Sequence, residues 1–170
     1  MKVYIDVMEK LKSIKMILMD VDGVLTNGKL YFTSSGEEIK AFDIQDGMGI
    51  TLARKAGLKT GIITGRFSEM VTRRAKELKY DVVLQGEDDK LAQYEKIKTR
   101  FNIADEEICY IGDDIPDVPV LKKVGFSVAV ANARDELKQF CDYVTERDGG
   151  HSAVREVIDK ILTYQGKSFD

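Results

Sequence analysis

Short, unbroken apolar runs recur along the chain. They are Met16-Ile17-Leu18-Met19, Thr60-Gly61-Ile62-Ile63, Asp81-Val82-Val83-Leu84, Ile108-Cys109-Tyr110-Ile111 and Phe126-Ser127-Val128-Ala129-Val130, with a shorter one at Asp142-Tyr143-Val144. Runs of this length without polar alternation suit strands buried on both faces. Between them, helical patterns fill 49–56, 68–78, 90–101, 117–123, 134–140 and 153–162. Val3, Val7, Leu11 and Ile14 mark a further helix before the first strand. Strand and helix alternate with short connections, which predicts an α/β fold, a Rossmann-like doubly wound parallel sheet. Ligands bind beyond the carboxyl ends of the strands in such sheets. One segment breaks the alternation. Residues 29–33 and 38–42 flank Ser34-Ser35-Gly36-Glu37, which predicts a small β-hairpin inserted after the first strand. Two strands alone are marginal in water. The apolar residues Leu30, Phe32, Ile39 and Phe42 are therefore expected to pack against something, another subunit included.

Composition narrows the class. A length of 170 residues fits one domain over 1–170, with a hairpin flap at about 29–42 and a C-terminal helix and tail at about 151–170. Hydrophobic residues make up 44% and charged residues 32%, which argues for a packed core rather than disorder. The net charge of −3 argues against a non-specific nucleic-acid binder. An anionic substrate then needs local positive charge, from a metal or a few placed cations. Cys109 and Cys141 read as buried reduced thiols. The amino terminus lacks a signal-peptide core, and no apolar run nears the roughly 18 residues of a membrane span. A soluble cytoplasmic protein without a membrane partner is the expectation.

Candidate chemistry gathers at the strand ends. The first strand runs into Asp20-Val21-Asp22-Gly23-Val24-Leu25-Thr26. Carboxylates at the end of a buried strand are costly unless paired or metal-bound. Two of them can divide the work of nucleophile and proton carrier, or simply cap a turn. The second strand ends in Thr64-Gly65-Arg66, where a hydroxyl and exposed amides suit an oxyanion or a helix cap. Lys90 opens a helix, where a cation opposes the macrodipole, so its charge is expected to serve elsewhere or to be solvated. The fourth strand runs into Gly112-Asp113-Asp114-Ile115-Pro116-Asp117. Three acids so close repel unless a cation or backbone donors compensate, and hard oxygen ligands suit Mg²⁺.

These motifs resemble the haloacid dehalogenase-like phosphatase superfamily: Asp20-x-Asp22-Gly23-x-x-Thr26, then Thr64, Lys90 and Gly112-Asp113-Asp114-x-x-Asp117. No room exists for a large cap domain. The likeness is closer to the small, capless 3-deoxy-D-manno-octulosonate 8-phosphate (KDO 8-phosphate) phosphatases. It is carried by Gly36-Glu37-Glu38-Ile39-Lys40-Ala41-Phe42, Ile63-Thr64-Gly65-Arg66, Gln85-Gly86 before Lys90, Ser127-Val128-Ala129-Val130-Ala131 and the stretch 143–156. His151-Ser152 departs from the basic residue and glycine expected there.

The resemblance implies a Mg²⁺-dependent phosphatase acting through an aspartyl-phosphate. Asp20 would be nucleophile and Asp22 acid and base. Asp20, Asp113 and the Asp22 backbone carbonyl would hold the metal, and Thr64, Gly65 and Lys90 the phosphoryl oxygens. Arg66 and Arg74, with Arg155 behind them, are candidates for the carboxylate of a sugar-phosphate substrate. A homotetramer is also implied, each hairpin packing against its neighbours and helping to close an adjacent active site, with a C-terminal tail that reaches toward an active site; Gly149-Gly150 would give that segment the freedom to turn. The alternatives are a phosphatase for a nine-carbon sialic-acid-like sugar 9-phosphate, a non-catalytic oligomerisation domain and a phospho-acceptor signalling domain.

Overall fold

The structure, a computed structural model, describes residues 2–167, with the side chains of 2–6 and 8 left aside. Helix α1 (Lys2–Ser13) leads into β1 (Met16–Met19). A short hairpin follows, β2 (Tyr31–Phe32) and β3 (Glu38–Ile39). Then come α2 (Ile44–Lys55), β4 (Lys59–Thr64), α3 (Glu69–Leu78), β5 (Val82–Gln85) and α4 (Lys90–Phe101). The second half runs β6 (Ile108–Gly112), α5 (Val118–Leu121), β7 (Phe126–Ala129), α6 (Asp135–Lys138), β8 (Tyr143–Val144) and α7 (Ala153–Tyr164).

The six main strands form one sheet in the order β5-β4-β1-β6-β7-β8, and every pair is parallel. The chain winds outward from β1 to one edge and then returns to wind toward the other. β1 is therefore the switch point, with β4 on one side and β6 on the other. Met19 lies opposite both Ile62 and Ile111, so the residues after these three positions emerge together at one end. The apolar run is what anchors that end. All four side chains of β1 are fully enclosed, and burial of each such side chain contributes about 1.5–3 kcal/mol.

The α/β, doubly wound architecture is the one the apolar runs predict. Local departures have physical causes. Helix α2 begins at Ile44 rather than 49, because Asp43 caps it by accepting from the Gln45 amide at 2.7 Å. Gly47 and Gly49 mask its pattern. Both are contact points: a Cβ on Gly47 would lie 2.4 Å from the Arg74 guanidinium, and one on Gly49 would lie 3.0 Å from Arg155 Cδ. The expected helix at 117–123 opens as a 3₁₀ turn (Ile115–Asp117), and α5 itself is short. The hairpin strands shrink to two residues each. Phe42 packs on the core, whereas Leu30, Phe32 and Ile39 stay exposed. No helix among the described residues is long and apolar enough to cross a membrane.

Asp46 on α2 is buried, and its Oδ1 accepts from the Arg155 amide at 2.8 Å, which ties α2 to α7. Burial pushes its carboxyl up from 3.8 to about 6; the Arg155 amide opposes this and the Asp43 charge adds to it. The folded chain thus binds this proton more tightly than the unfolded chain. Its contribution favours the fold at low pH and is lost as pH rises from near 4 through about 6. Asp46→Asn removes that dependence. In urea unfolding at a series of pH values, the variant should gain on the wild type by about 2–3 kcal/mol between pH 4 and pH 8. Parallel curves for the two proteins would contradict the assignment.

Candidate active site

Asp20 leaves β1 with its backbone still in the sheet, its amide donating to the Ile111 carbonyl at 3.1 Å. Its Oδ1 accepts from the Val21 amide at 2.7 Å, and its Oδ2 lies 2.8 Å from Lys90 Nζ. The chain then turns sharply. Gly23 takes φ +95°, and a Cβ there would sit 2.0 Å from Asp113 Oδ2. Thr26 closes the turn, its hydroxyl accepting from the amides of Gly23 at 3.3 Å and Gly28 at 3.2 Å. From the other side comes Gly149, where a Cβ would fall 1.7 Å from the Gly23 carbonyl oxygen. Gly150 donates its amide to the Val24 carbonyl at 2.9 Å. The glycine pair turns the chain as expected, Gly150 taking φ +72°, and it also forms a backbone-to-backbone clamp on the loop after Asp20.

At the end of β6 the three acids divide. Asp117 is fully buried. Its Oδ1 accepts from Lys90 Nζ and from the Tyr110 hydroxyl, each at 2.7 Å, and its Oδ2 accepts from the Asp113 amide at 3.0 Å. Asp114 caps the 3₁₀ turn, accepting from the Ile115 amide at 2.7 Å. Asp113 is the one left over: its Oδ1 is buried without a hydrogen-bond partner. These arrangements separate two roles that the sequence left open, Asp117 as the holder of Lys90 and Asp114 as a cap.

Carboxylate oxygens of Asp20, Asp113 and Asp117 lie within 4.8 Å of one another, and the Lys90 ammonium pairs with two of these three acids. Burial and the neighbouring charges of Asp20 and Asp117 push the Asp113 carboxyl up to about 8. Burial and Asp117 likewise push Asp20 to about 6, against the pull of Lys90. Burial alone would lower the Lys90 ammonium, but the charges of Asp117 and Asp20 hold it above its ordinary value. Positive charge is in deficit here. An unpartnered buried oxygen on Asp113, facing a second hard carboxylate, is what a divalent oxygen-seeking cation fits.

Thr64 is buried at the end of β4, and its carbonyl accepts from the Gly86 amide at 3.1 Å. No polar side chain crowds Gly65, whose nearest such atom to an added Cβ is Asp88 Oδ1 at 3.7 Å. The Asp22 carboxylate stands outside the acid cluster. It pairs with Lys40, and Arg66 approaches it at 3.9 Å. Glu38 completes this second group, 3.4 Å from Lys40 and 3.0 Å from Arg66. Arg74 points elsewhere, donating to the Asp43 carbonyl at 3.3 Å and pairing with Glu77 at 3.0 Å. Arg155 pairs with Asp159 at 2.7 Å. His151 sits beside the glycine clamp, Nδ1 3.1 Å from the Gly149 carbonyl. Ser152 adopts φ +70°, a backbone state that a glycine takes freely, and its hydroxyl donates to Asp43 Oδ2 at 2.7 Å. Lys40 and Glu38 stand in a stretch that carries the family likeness, but sequence reasoning gave them no role of their own. The available signal was a lysine amid the apolar residues of the second hairpin strand.

A family profile described as haloacid dehalogenase-like hydrolase matches residues 80–158. The 3-deoxy-D-manno-octulosonate 8-phosphate phosphatase KdsC of Escherichia coli (strain B / BL21-DE3) is 44% identical over 162 residues, covering 95% of this chain and 86% of the relative. Two solved structures are similar throughout. The 3-deoxy-D-manno-octulosonate 8-phosphate phosphatase of Yersinia pestis superposes with a TM-score of 0.94 at 41% identity, over 95% of this chain and 88% of the other. The enzyme of the same name from Moraxella catarrhalis, in complex with magnesium ion, phosphate ion and a KDO molecule, gives 0.93 at 42% identity, over 95% and 92%.

Proposed function

Because the chain belongs to the 3-deoxy-D-manno-octulosonate 8-phosphate phosphatase family of haloacid dehalogenase-like hydrolases, we propose that it hydrolyses KDO 8-phosphate to KDO and inorganic phosphate. The observation that carries this reading is Asp20, held at the end of β1 by Lys90 and facing the unpartnered oxygen of Asp113. In this reading an Asp20 carboxylate oxygen attacks phosphorus, the bond from phosphorus to the sugar oxygen breaks, and Asp22 gives that oxygen a proton. A water then attacks the aspartyl-phosphate, Asp22 takes its proton back, and Asp20 is regenerated as phosphate leaves. Lys90, Thr64 and the Gly65 amide hold the phosphoryl oxygens while this happens, since phosphoryl transfer depends mainly on positioning and charge. Asp20, Asp113 and the Asp22 backbone carbonyl would hold Mg²⁺, which when bound supplies positive charge between carboxylate and phosphate. Asp117 acts through Lys90, fixing its ammonium between the two acids.

The test is phosphate release across a panel of sugar phosphates, with and without Mg²⁺. KDO 8-phosphate should be turned over fastest, ahead of a nine-carbon sialic-acid-like sugar 9-phosphate. Chelation with EDTA should abolish release and added Mg²⁺ should restore it. Turnover that persists after exhaustive chelation would count against the metal site. The same reading places the chain in the cytoplasm as a homotetramer. The homotetramer is supported by the hairpin, where Tyr31, Phe32 and Ile39 on two short strands, and Leu30 just before them, are exposed and cannot cover one another. Light scattering on the purified chain should give four times the monomer mass of 19.1 kDa. A monomeric mass would remove this part.

A further inference from the structure

Helix α3 opens without the usual closure at its amino end. Ser68 is its N-cap, but the Ser68 side chain makes no capping bond. The amide of an N-cap residue is commonly met by a Glu or Gln three residues further on. Val71 holds that place and is turned into the core, so the acceptor has to come from another element. It comes from Gln85, the last residue of β5. Gln85 Oε1 accepts from the Ser68 amide at 3.0 Å, and its Nε2 donates to the Thr72 hydroxyl at 2.9 Å. The same hydroxyl donates to the Ser68 carbonyl at 3.4 Å. Every donor in this ring faces an acceptor, and the ring holds the Gln85 amide in one orientation. Next to it, the Gly86 amide holds the Thr64 carbonyl at 3.1 Å, and Thr64 stands opposite Gln85 in the sheet. Two consecutive residues at the end of β5 thus grip both ends of the loop 64–68, one through its side chain and the other through its backbone.

We propose that Gln85 is a positioning residue for the phosphoryl group. Strapped across its neck, the loop 64–68 presents the Thr64 hydroxyl and the Gly65 amide in one fixed arrangement to a tetrahedral anion. The inference rests on the proposed phosphatase reading, which gives those two groups the phosphoryl oxygens, and deepens it by naming what holds them. Packing within the loop does not do so: Gly65 has no side chain, and Arg66 and Phe67 are exposed. A neutral amide suits this place. It accepts on one side and donates on the other, which an ionised Glu cannot do, and it brings no negative charge toward a phosphate. Without the strap the loop would be ordered only on binding, and that cost would be subtracted from affinity.

The experiment titrates orthovanadate, a phosphoryl mimic, into the full chain with Mg²⁺ and reads the dissociation constant by calorimetry. Gln85→Leu should weaken binding by about 10-fold, the worth of two neutral hydrogen bonds. Thr72→Val, at an exposed position of α3, should weaken it by about 3-fold. Thr72→Ser keeps the hydroxyl and should bind like the wild type. Hydrogen exchange in the peptide spanning 64–68 should quicken in Gln85→Leu and Thr72→Val, while β1 and β6 stay protected. Unchanged vanadate affinity in Gln85→Leu and Thr72→Val would overturn the proposal and leave Gln85 a stabiliser of α3 alone. If Gln85→Leu does not fold, the two Thr72 variants decide, and equal affinities for them overturn the idea. A wild type that binds vanadate yet hydrolyses no sugar phosphate would defeat the substrate reading, while the affinities would still decide on Gln85.

Discussion

Asp20→Asn should lower phosphate release by about 10⁴-fold or more and leave the melting temperature close to that of the wild type. The large loss follows from removing the attacking group, for which no other side chain at the site can substitute. The small structural effect follows from the surroundings. An amide at this position keeps one of the two contacts through its oxygen, the Val21 amide or Lys90, and Lys90 retains Asp117 as a partner. It also relieves repulsion, because burial and Asp117 already push the native carboxyl toward about 6. Acid quenching of the wild type within one turnover of ³²P-labelled substrate should leave label on the protein, recovered on a peptide containing Asp20. Rapid phosphate release with no protein-bound label at any time would refute the covalent route.

Lys90→Met should produce the largest loss of stability, about 3–5 kcal/mol, seen as a fall of about 10 °C in melting temperature. Lys90 is enclosed and touches two acids, Asp20 at 2.8 Å and Asp117 at 2.7 Å. Asp117 is more deeply buried still, so removing the ammonium strands a carboxylate with no route to water. A methionine fills the space of the stem but none of the charge. Adding Asp117→Asn should recover much of the loss, since the amide oxygen can still accept from Tyr110 while the stranded charge is gone. Thermal melts of the single and double variants decide the matter. Equal melting temperatures for wild type and Lys90→Met would mean that the buried triad contributes no net stability.

Much of the scaffold could be read from the chain because a strand covered on both faces needs an uninterrupted apolar run. Met16–Met19 and Ile108–Gly112 are such strands, and little else in the sequence competes for that pattern. The start of α2 was hidden for the opposite reason. Its glycines are chosen by Arg74 and Arg155 across the helix interface, and tertiary contacts of that kind leave no periodic trace. Acids at strand ends were legible as a class. The division of labour among Asp113, Asp114 and Asp117 was not, because it depends on which oxygen meets Tyr110 and which meets a backbone amide. Lys40 was given no role of its own since an ammonium on a hairpin is ordinarily solvated, and only the fold brings Asp22 and Glu38 against it.

The contact between Gly149 and the loop after Asp20 has a consequence for biosynthesis. The segment bearing Asp20 is made before the backbone that presses it into shape, which lies more than a hundred residues further along the chain. A nascent chain halted before residue 149 can build several strands, yet its acid-bearing turn lacks one wall. Competence for chemistry therefore waits on residue 149 and its neighbours, and fragments that end before them would bind their substrate poorly even where the sheet has formed.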